Sequence, residues 1–105
     1  MSDQSSESPI LDLLMGMNVA GIEASTLDAQ TLMLVRMAAL VAVDAPPVSY
    51  MLNLRMAGAV EVDAAQVEGM LAGIAPIVGT ARVASAAGKI VSALGLEIAL
   101  ADLDD

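Results

Sequence analysis

Apolar positions recur along this chain at a helical interval, and turn residues cut the pattern into segments. Ser8-Pro9 opens the first: serine offers a capping oxygen and proline fits a first helical turn. Ile10, Leu11, Leu13, Leu14 and Met17 then make a short helix ending near Gly16 to Gly21. Thr26 to Asp28 opens the second segment, with Asp28 set to accept a backbone N–H of the first turn. From Leu32 to Val43 every residue except Arg36 is apolar. A helix apolar nearly all round is a buried one. The longest helix, over roughly Asp28–Val43, is therefore expected at the centre of the fold or of an oligomer.

Asp44-Ala45-Pro46-Pro47 stops that helix, because a residue before proline is driven out of the α region. The same prolines suit the start of the next helix, from Pro47 to about Ala59. Asp63 with Gln66 makes a capping-box-like start to a helix reaching Ala75, with Val67, Met70, Leu71 and Ile74 as its buried stripe. Pro76 and Gly79 are expected to bend or break the chain. Thr80 then caps a final helix closed by Gly95. Its apolar face carries Val83, Ala87, Ile90, Val91 and Leu94, and its wet face Arg82, Ser85, Lys89 and Ser92. Small residues at Gly69-x-x-x-Gly73 and Ala84-x-x-x-Gly88 predict an antiparallel helix pair in close backbone contact. No run alternates at period two for the length of a strand, Val60-Glu61-Val62 being the nearest. The prediction is an all-α bundle of about five to six helices. One domain over 9–99 lies between a disordered N-terminal tail, 1–8, and an acidic C-terminal tail, 100–105.

Composition adds an oligomer to this picture. Ala, Val, Ile, Leu, Met and Gly make up 67 of the 105 positions, against about 45–50% apolar in ordinary soluble domains. A folded chain of this mass has only about 5,500 Å² of surface. The apolar excess calls for a covering subunit, with the Leu32–Val43 helix in the contact. Eight methionines without Phe or Trp make a soft core, in which Met fills irregular gaps or lines an apolar cavity. Thirteen acidic against four basic residues leave a net charge of −9, so nucleic acid and anionic membranes are disfavoured partners. Asp3, Glu7, Asp102, Asp104 and Asp105 read as solvating ends.

Cysteine and histidine are both absent, which removes disulfides, thiol nucleophiles, zinc–thiolate sites and the commonest general base. No carboxylate cluster has metal-ligand spacing, and no Gly-rich phosphate loop follows a strand. No metal or cofactor is expected. Met1–Ser8 lacks the positive n-region of a secretory signal, and the uncharged runs fall short of the roughly 20 residues that span a bilayer. A cytoplasmic protein is expected.

The stretch from Leu27 to Leu94, about two thirds of the chain, resembles the carboxymuconolactone decarboxylase-like family, which includes the alkyl hydroperoxidase D-type proteins. The framework segments LDAQTLMLVRMAALVAVDAPP and IAPIVGTARV carry the likeness. It implies an alkyl hydroperoxidase D-like fold and a trimer or hexamer. Peroxidase members carry Cys-x-x-Cys-x-x-x-His at the start of a helix, with a Glu on the helix before. Laid on this chain without gaps, those positions hold Pro46, Ser49, Asn53 and Leu34. A thiol relay needs a thiolate, a resolving thiol and a proton shuttle. This chain has none of them.

Three residues remain as candidates for chemistry. Ser49 and Asn53 share a helix face at i and i+4, with Met56 one turn further. Ser49 has no adjacent base, and Asn53 forms hydrogen bonds but shuttles no proton near neutrality. They either satisfy local backbone groups or orient a ligand. Arg36 costs too much to bury unpaired. It pairs with an acid such as Asp44, Glu68 or Glu97 or with backbone carbonyls, or else faces a cavity and holds a carboxylate. Arg82 is expected at the surface, and Tyr50 as a packing residue or a ligand contact. The first expectation for function is an oligomeric binding or structural protein without thiol peroxidase activity, open to a small carboxylate or an apolar ligand. The alternative is a cofactor-free decarboxylase of aromatic catabolism using Arg36, Asn53 and Ser49, with the Arg charge assisting electrostatically.

Overall fold

Capping residues set the helix boundaries. In the computed structural model, the backbone is described for residues 8–104 and the side chains for residues 8–95. Five helices follow in order: α1 (Pro9–Ala24), α2 (Ala29–Ala42), α3 (Pro47–Ala59), α4 (Ala64–Val78) and α5 (Thr80–Asp104), with no strand among the described residues. Asp28 caps α2, its carboxylate accepting from the Thr31 backbone at 2.9 Å and the Thr31 hydroxyl at 3.0 Å. Asp63 and Gln66 form a reciprocal capping box on α4, at 2.8 and 2.9 Å. Each satisfies N–H groups that a helix start leaves without partners.

Helices α2 and α3 close with matching geometry. The Ala45 N–H returns to the Leu40 carbonyl at 3.0 Å and that of Asp44 to Val41 at 3.1 Å. The Val62 N–H returns to Ala57 at 2.9 Å and that of Glu61 to Gly58 at 3.1 Å. This is the paired closure in which one residue turns left-handed. Here that residue is not glycine but Asp44 (φ 56°) and Glu61 (φ 65°).

Several boundaries differ from the sequence expectation. Ser8 lends α1 no side-chain cap; only its carbonyl takes part, accepting from the Asp12 N–H at 3.0 Å. Helix α1 does not end near Gly16 to Gly21 but continues to Ala24, because an interior glycine costs only about 1 kcal/mol. Pro76 does not break α4: it lies in the last turn, and the helix ends at Gly79, whose φ of 92° suits glycine. Nor does Gly95 close α5, which runs through helix-favouring Leu, Glu and Ala residues to Asp104. The expected tail at 1–8 falls, except for Ser8, outside the described residues.

The core lies where α2, α3 and α5 meet, with α4 packed against it. Met37, Val41 and Tyr50 are its largest fully buried side chains. Around them close Ala45, Ala86, Ile90 and Ala93, backed by the half-buried Val67, Met70, Leu71 and Ile74 of α4. The central place of α2 is found, although α5 with 25 residues, and not α2 with 14, is the longest helix. The stripe predicted as buried on α4 faces the core but is only half-buried. The small residues that let helices approach are not those expected. Gly69, Gly73, Ala84 and Gly88 are all exposed, and a Cβ added at any of these glycines would touch nothing within 4 Å. Close packing falls instead to Ala57, Ala86 and Ala93, which the rotation of each helix turns inward. Of the apolar face expected on α5, Ile90 is buried, whereas Ala87, Val91 and Leu94 are exposed.

Helix α1 stands apart. It contributes no buried residue, and every large apolar side chain from Ile10 to Ile22 is exposed. The chain presents 6710 Å² to solvent, about 1,200 Å² more than a folded monomer of 10.6 kDa is expected to expose. Its radius of gyration, 15.0 Å, exceeds the roughly 13 Å of a compact domain of this length.

Candidate functional site

Arg36 projects from α2 toward α1. Its Nη1 donates to the Asn18 side-chain oxygen, and its Nη2 to the Asn18 carbonyl at 3.3 Å. Gly21 lies one turn further along α1, where an added Cβ would come within 2.9 Å of Arg36 Nη2. Among the described residues its partners are a neutral amide and a backbone carbonyl, the latter one of the two kinds of partner expected; the side chain of Glu97, another expected acid, lies outside the described residues. Asp44, one of the expected partners, is bound elsewhere. Arg36 thus ties α1 to the rest of the molecule.

Ser49 and Asn53 remain within α3. Asn53 Nδ2 donates to the Ser49 carbonyl at 3.4 Å, while its Oδ1 is buried without a hydrogen-bond partner. The Tyr50 hydroxyl is likewise buried and without a partner. Burial, and next the Asp44 carboxylate, push the Tyr50 pKa above its ordinary value of 10.0. Tyr50 is fully buried in the core, in line with the packing role. Two polar groups on one face of α3 therefore retain unused hydrogen-bonding capacity.

A polar cluster at the end of α2 is the best-connected site of the molecule. Asp44 Oδ1 accepts from Lys89 Nζ at 2.8 Å and from Ser85 Oγ at 3.0 Å, and its carbonyl accepts from Lys89 at 3.2 Å. Arg82 Nη1 donates to the Ala42 carbonyl, one of those that the helix end leaves open. Cationic groups also suit the negative end of a helix dipole. The hydrogen bonds from Lys89 and Ser85, with the Lys89 charge, hold the Asp44 pKa below its ordinary value of 3.8. The residues expected on the wet face of α5 thus clamp a helix end. Their i, i+3, i+7 spacing was legible, but their target, some forty residues earlier, was not.

Two apolar clefts open on the surface. The larger, of about 550 Å³, lies between α3, α4 and α5, walled by Leu54, Val67, Leu71, Ile90 and Leu94, with Asp63 and Glu68 among its lining residues. The smaller, of about 330 Å³, lies between the end of α1, α2 and α3, with Ile22, Leu32, Met33 and Met56 on its walls. Arg36, Ser49 and Asn53 line neither. Asp63 is engaged in its capping box, so Glu68 is the one carboxylate there without that duty. Among the described residues, no group of three or more potential ligand side chains could hold a metal ion. No helix among them is long and apolar enough to cross a membrane. The chain matches no family model, no curated protein and no solved structure.

Proposed function

We propose that this chain is a carboxymuconolactone decarboxylase-like protein that acts through binding and assembly as a homo-oligomer, without thiol peroxidase chemistry. The observation that carries the proposal is the dispersal of its candidate groups. Arg36 is bound to α1, Asn53 is bound within α3, and neither they nor Ser49 line either of the two clefts described above. A reaction needs its groups within hydrogen-bond reach of one substrate. The clefts offer apolar walls suited to an apolar ligand, and the exposed apolar side chains of α1 support assembly. The all-helical architecture supports the coarser part of this family reading.

A second function, decarboxylation of a small carboxylated lactone, is favoured by one observation. Among the described residues both hydrogen-bond partners of Arg36 are neutral oxygens, and no carboxylate of that set pairs with it. One experiment separates the two: melting temperatures of wild type and Arg36→Ala, each with and without small carboxylates. The binding and assembly role predicts a lower melting temperature in Arg36→Ala and no carboxylate-dependent shift in either protein. A carboxylate-dependent rise in wild type that vanishes in Arg36→Ala would promote the enzyme.

A further inference from the structure

Building on the reading that the clefts take an apolar ligand, we infer that the larger one, between α3, α4 and α5, binds an aliphatic primary amine. Its hydrocarbon chain lies against the apolar walls, and its ammonium meets the Glu68 carboxylate. At about 550 Å³ the cleft falls within the roughly 300–1,000 Å³ of small-molecule sites, where apolar walls hold the ligand and a few polar groups orient it. Leu54, Val67, Leu71 and Ile90 supply the wall for the chain.

Charge decides the head group. The charged side chains in the lining are both acidic, Asp63 and Glu68. Asp63 is the N-cap of α4, where its carboxylate offsets the positive end of that helix. Glu68 is exposed and takes no part in the ion pair found among the described residues, which joins Lys89 to Asp44. The end of α3 also reaches the cleft, at Ala57 and Gly58, and its last turn carries no basic residue to balance the negative end of the helix dipole. The four basic residues of the chain all lie elsewhere. Arg36 holds α1, Arg82 and Lys89 hold the end of α2, and Arg55 is outside the lining. None of the residues beyond those described is a lysine or an arginine. A cation therefore meets no competing positive side chain in the cleft, and the net charge of −9 draws it toward the molecule.

The walls select the kind of cation. A quaternary ammonium is held by aromatic faces, and the one aromatic residue, Tyr50, is buried in the core. A primary ammonium instead carries N–H donors for charge-assisted hydrogen bonds to a carboxylate. Glu68 supplies that acceptor.

The test titrates the full chain with octylamine, octanol, octanoate and octyltrimethylammonium, following the methyl signals of Leu71 and Ile90 by NMR. Octylamine should shift those signals and bind tightest of the four. Glu68→Gln should weaken octylamine about five-fold, the scale of a solvent-exposed ion pair, and leave octanol unchanged. Ala87→Trp fills the cleft from an exposed position on α5, so it should abolish both while circular dichroism keeps its helical signal. If octanol binds there as tightly as octylamine and Glu68→Gln alters neither, the amine is wrong although the apolar ligand stands. If no probe moves the Leu71 and Ile90 signals, amine and apolar ligand fail together for this cleft. Tighter binding of octanoate or octyltrimethylammonium would overturn the head group. A Glu68-dependent response to a lysine-rich amphipathic helical peptide, with none to octylamine, would overturn the small amine in favour of a protein segment.

Discussion

Arg36 shows how a single buried-helix cation is used. A guanidinium among Leu34, Val35, Met37 and Ala38 must find acceptors or carry a penalty of several kcal/mol. It finds both on one residue, Asn18, eighteen positions back. Replacing it removes charge-assisted hydrogen bonds of the kind worth about 1.5–3 kcal/mol each. Arg36→Ala should therefore lower the melting temperature and speed proteolysis between α1 and α2, read by limited digestion. Arg36→Met combined with Asn18→Leu should recover much of the loss, since both polar partners then disappear together. Asp44 supplies the pH response at this scale. Its folded pKa lies below 3.8, so its contribution is present above that value and fades as the pH falls through the lower folded value. Asp28 behaves alike, held down first by the Thr31 backbone hydrogen bond and then by the Thr31 hydroxyl. Acid melts of wild type and Asp44→Asn should thus differ near neutrality, begin to approach each other below about pH 4 and meet only below the lowered folded value. Equal separation at all pH values would refute the linkage.

The elements owe their bounds to a few side chains that satisfy helix ends. Asp63→Ala removes one half of the capping box on α4 and should cost about 1 kcal/mol in denaturant unfolding. Gln30 of α2 adds a connection between elements. Its Nε2 donates to the Val60 carbonyl at 2.9 Å and to the Glu61 carbonyl at 3.3 Å, while Gln66 donates to its Oε1 at 3.3 Å. One amide thereby joins α2, the end of α3 and the cap of α4. Glu61 itself occupies a left-handed conformation at the close of α3, a geometry that costs an L-residue roughly 1–2 kcal/mol. Glu61→Gly should therefore raise stability by up to about 1 kcal/mol, the gain being reduced by glycine's greater freedom when unfolded. A lower denaturation midpoint in Glu61→Gly would show that its side chain contributes something the backbone geometry does not account for.

For the whole molecule, the division between a packed centre and an outlying α1 governs behaviour. Eight large apolar residues from Ile10 to Ile22 lie exposed on a helix held chiefly by one arginine. If that helix mediates assembly, the melting temperature should rise with protein concentration, because association stabilises only the folded chain. The dependence should disappear in Leu13→Glu/Met17→Glu, measured over the same concentration range. A concentration-independent wild-type melt would contradict self-association. Amides of α1 should also exchange hydrogen faster than those of α2 in dilute protein, because few buried contacts hold them.

What the sequence determined by itself is local. The all-helical class, the caps at Asp28 and Asp63, the stop at Asp44 to Pro47 and the core-facing stripe of α4 follow from periodicity and from side chains reaching three or four residues. The absence of histidine and cysteine likewise limits the chemistry without reference to any fold. The tertiary structure decided whatever depends on how each helix is rotated and which distant groups meet. Gly69, Gly73, Ala84 and Gly88 carry the spacing of a close contact yet face outward, while alanines at 57, 86 and 93 do the packing. Arg36 meets Asn18, and Asp44 goes to Lys89. A helix that is apolar on several sides does not encode which side will be covered, because burial of apolar area has no direction of its own. Only the packed neighbours choose, and in α1 they leave the large apolar side chains from Ile10 to Ile22 exposed.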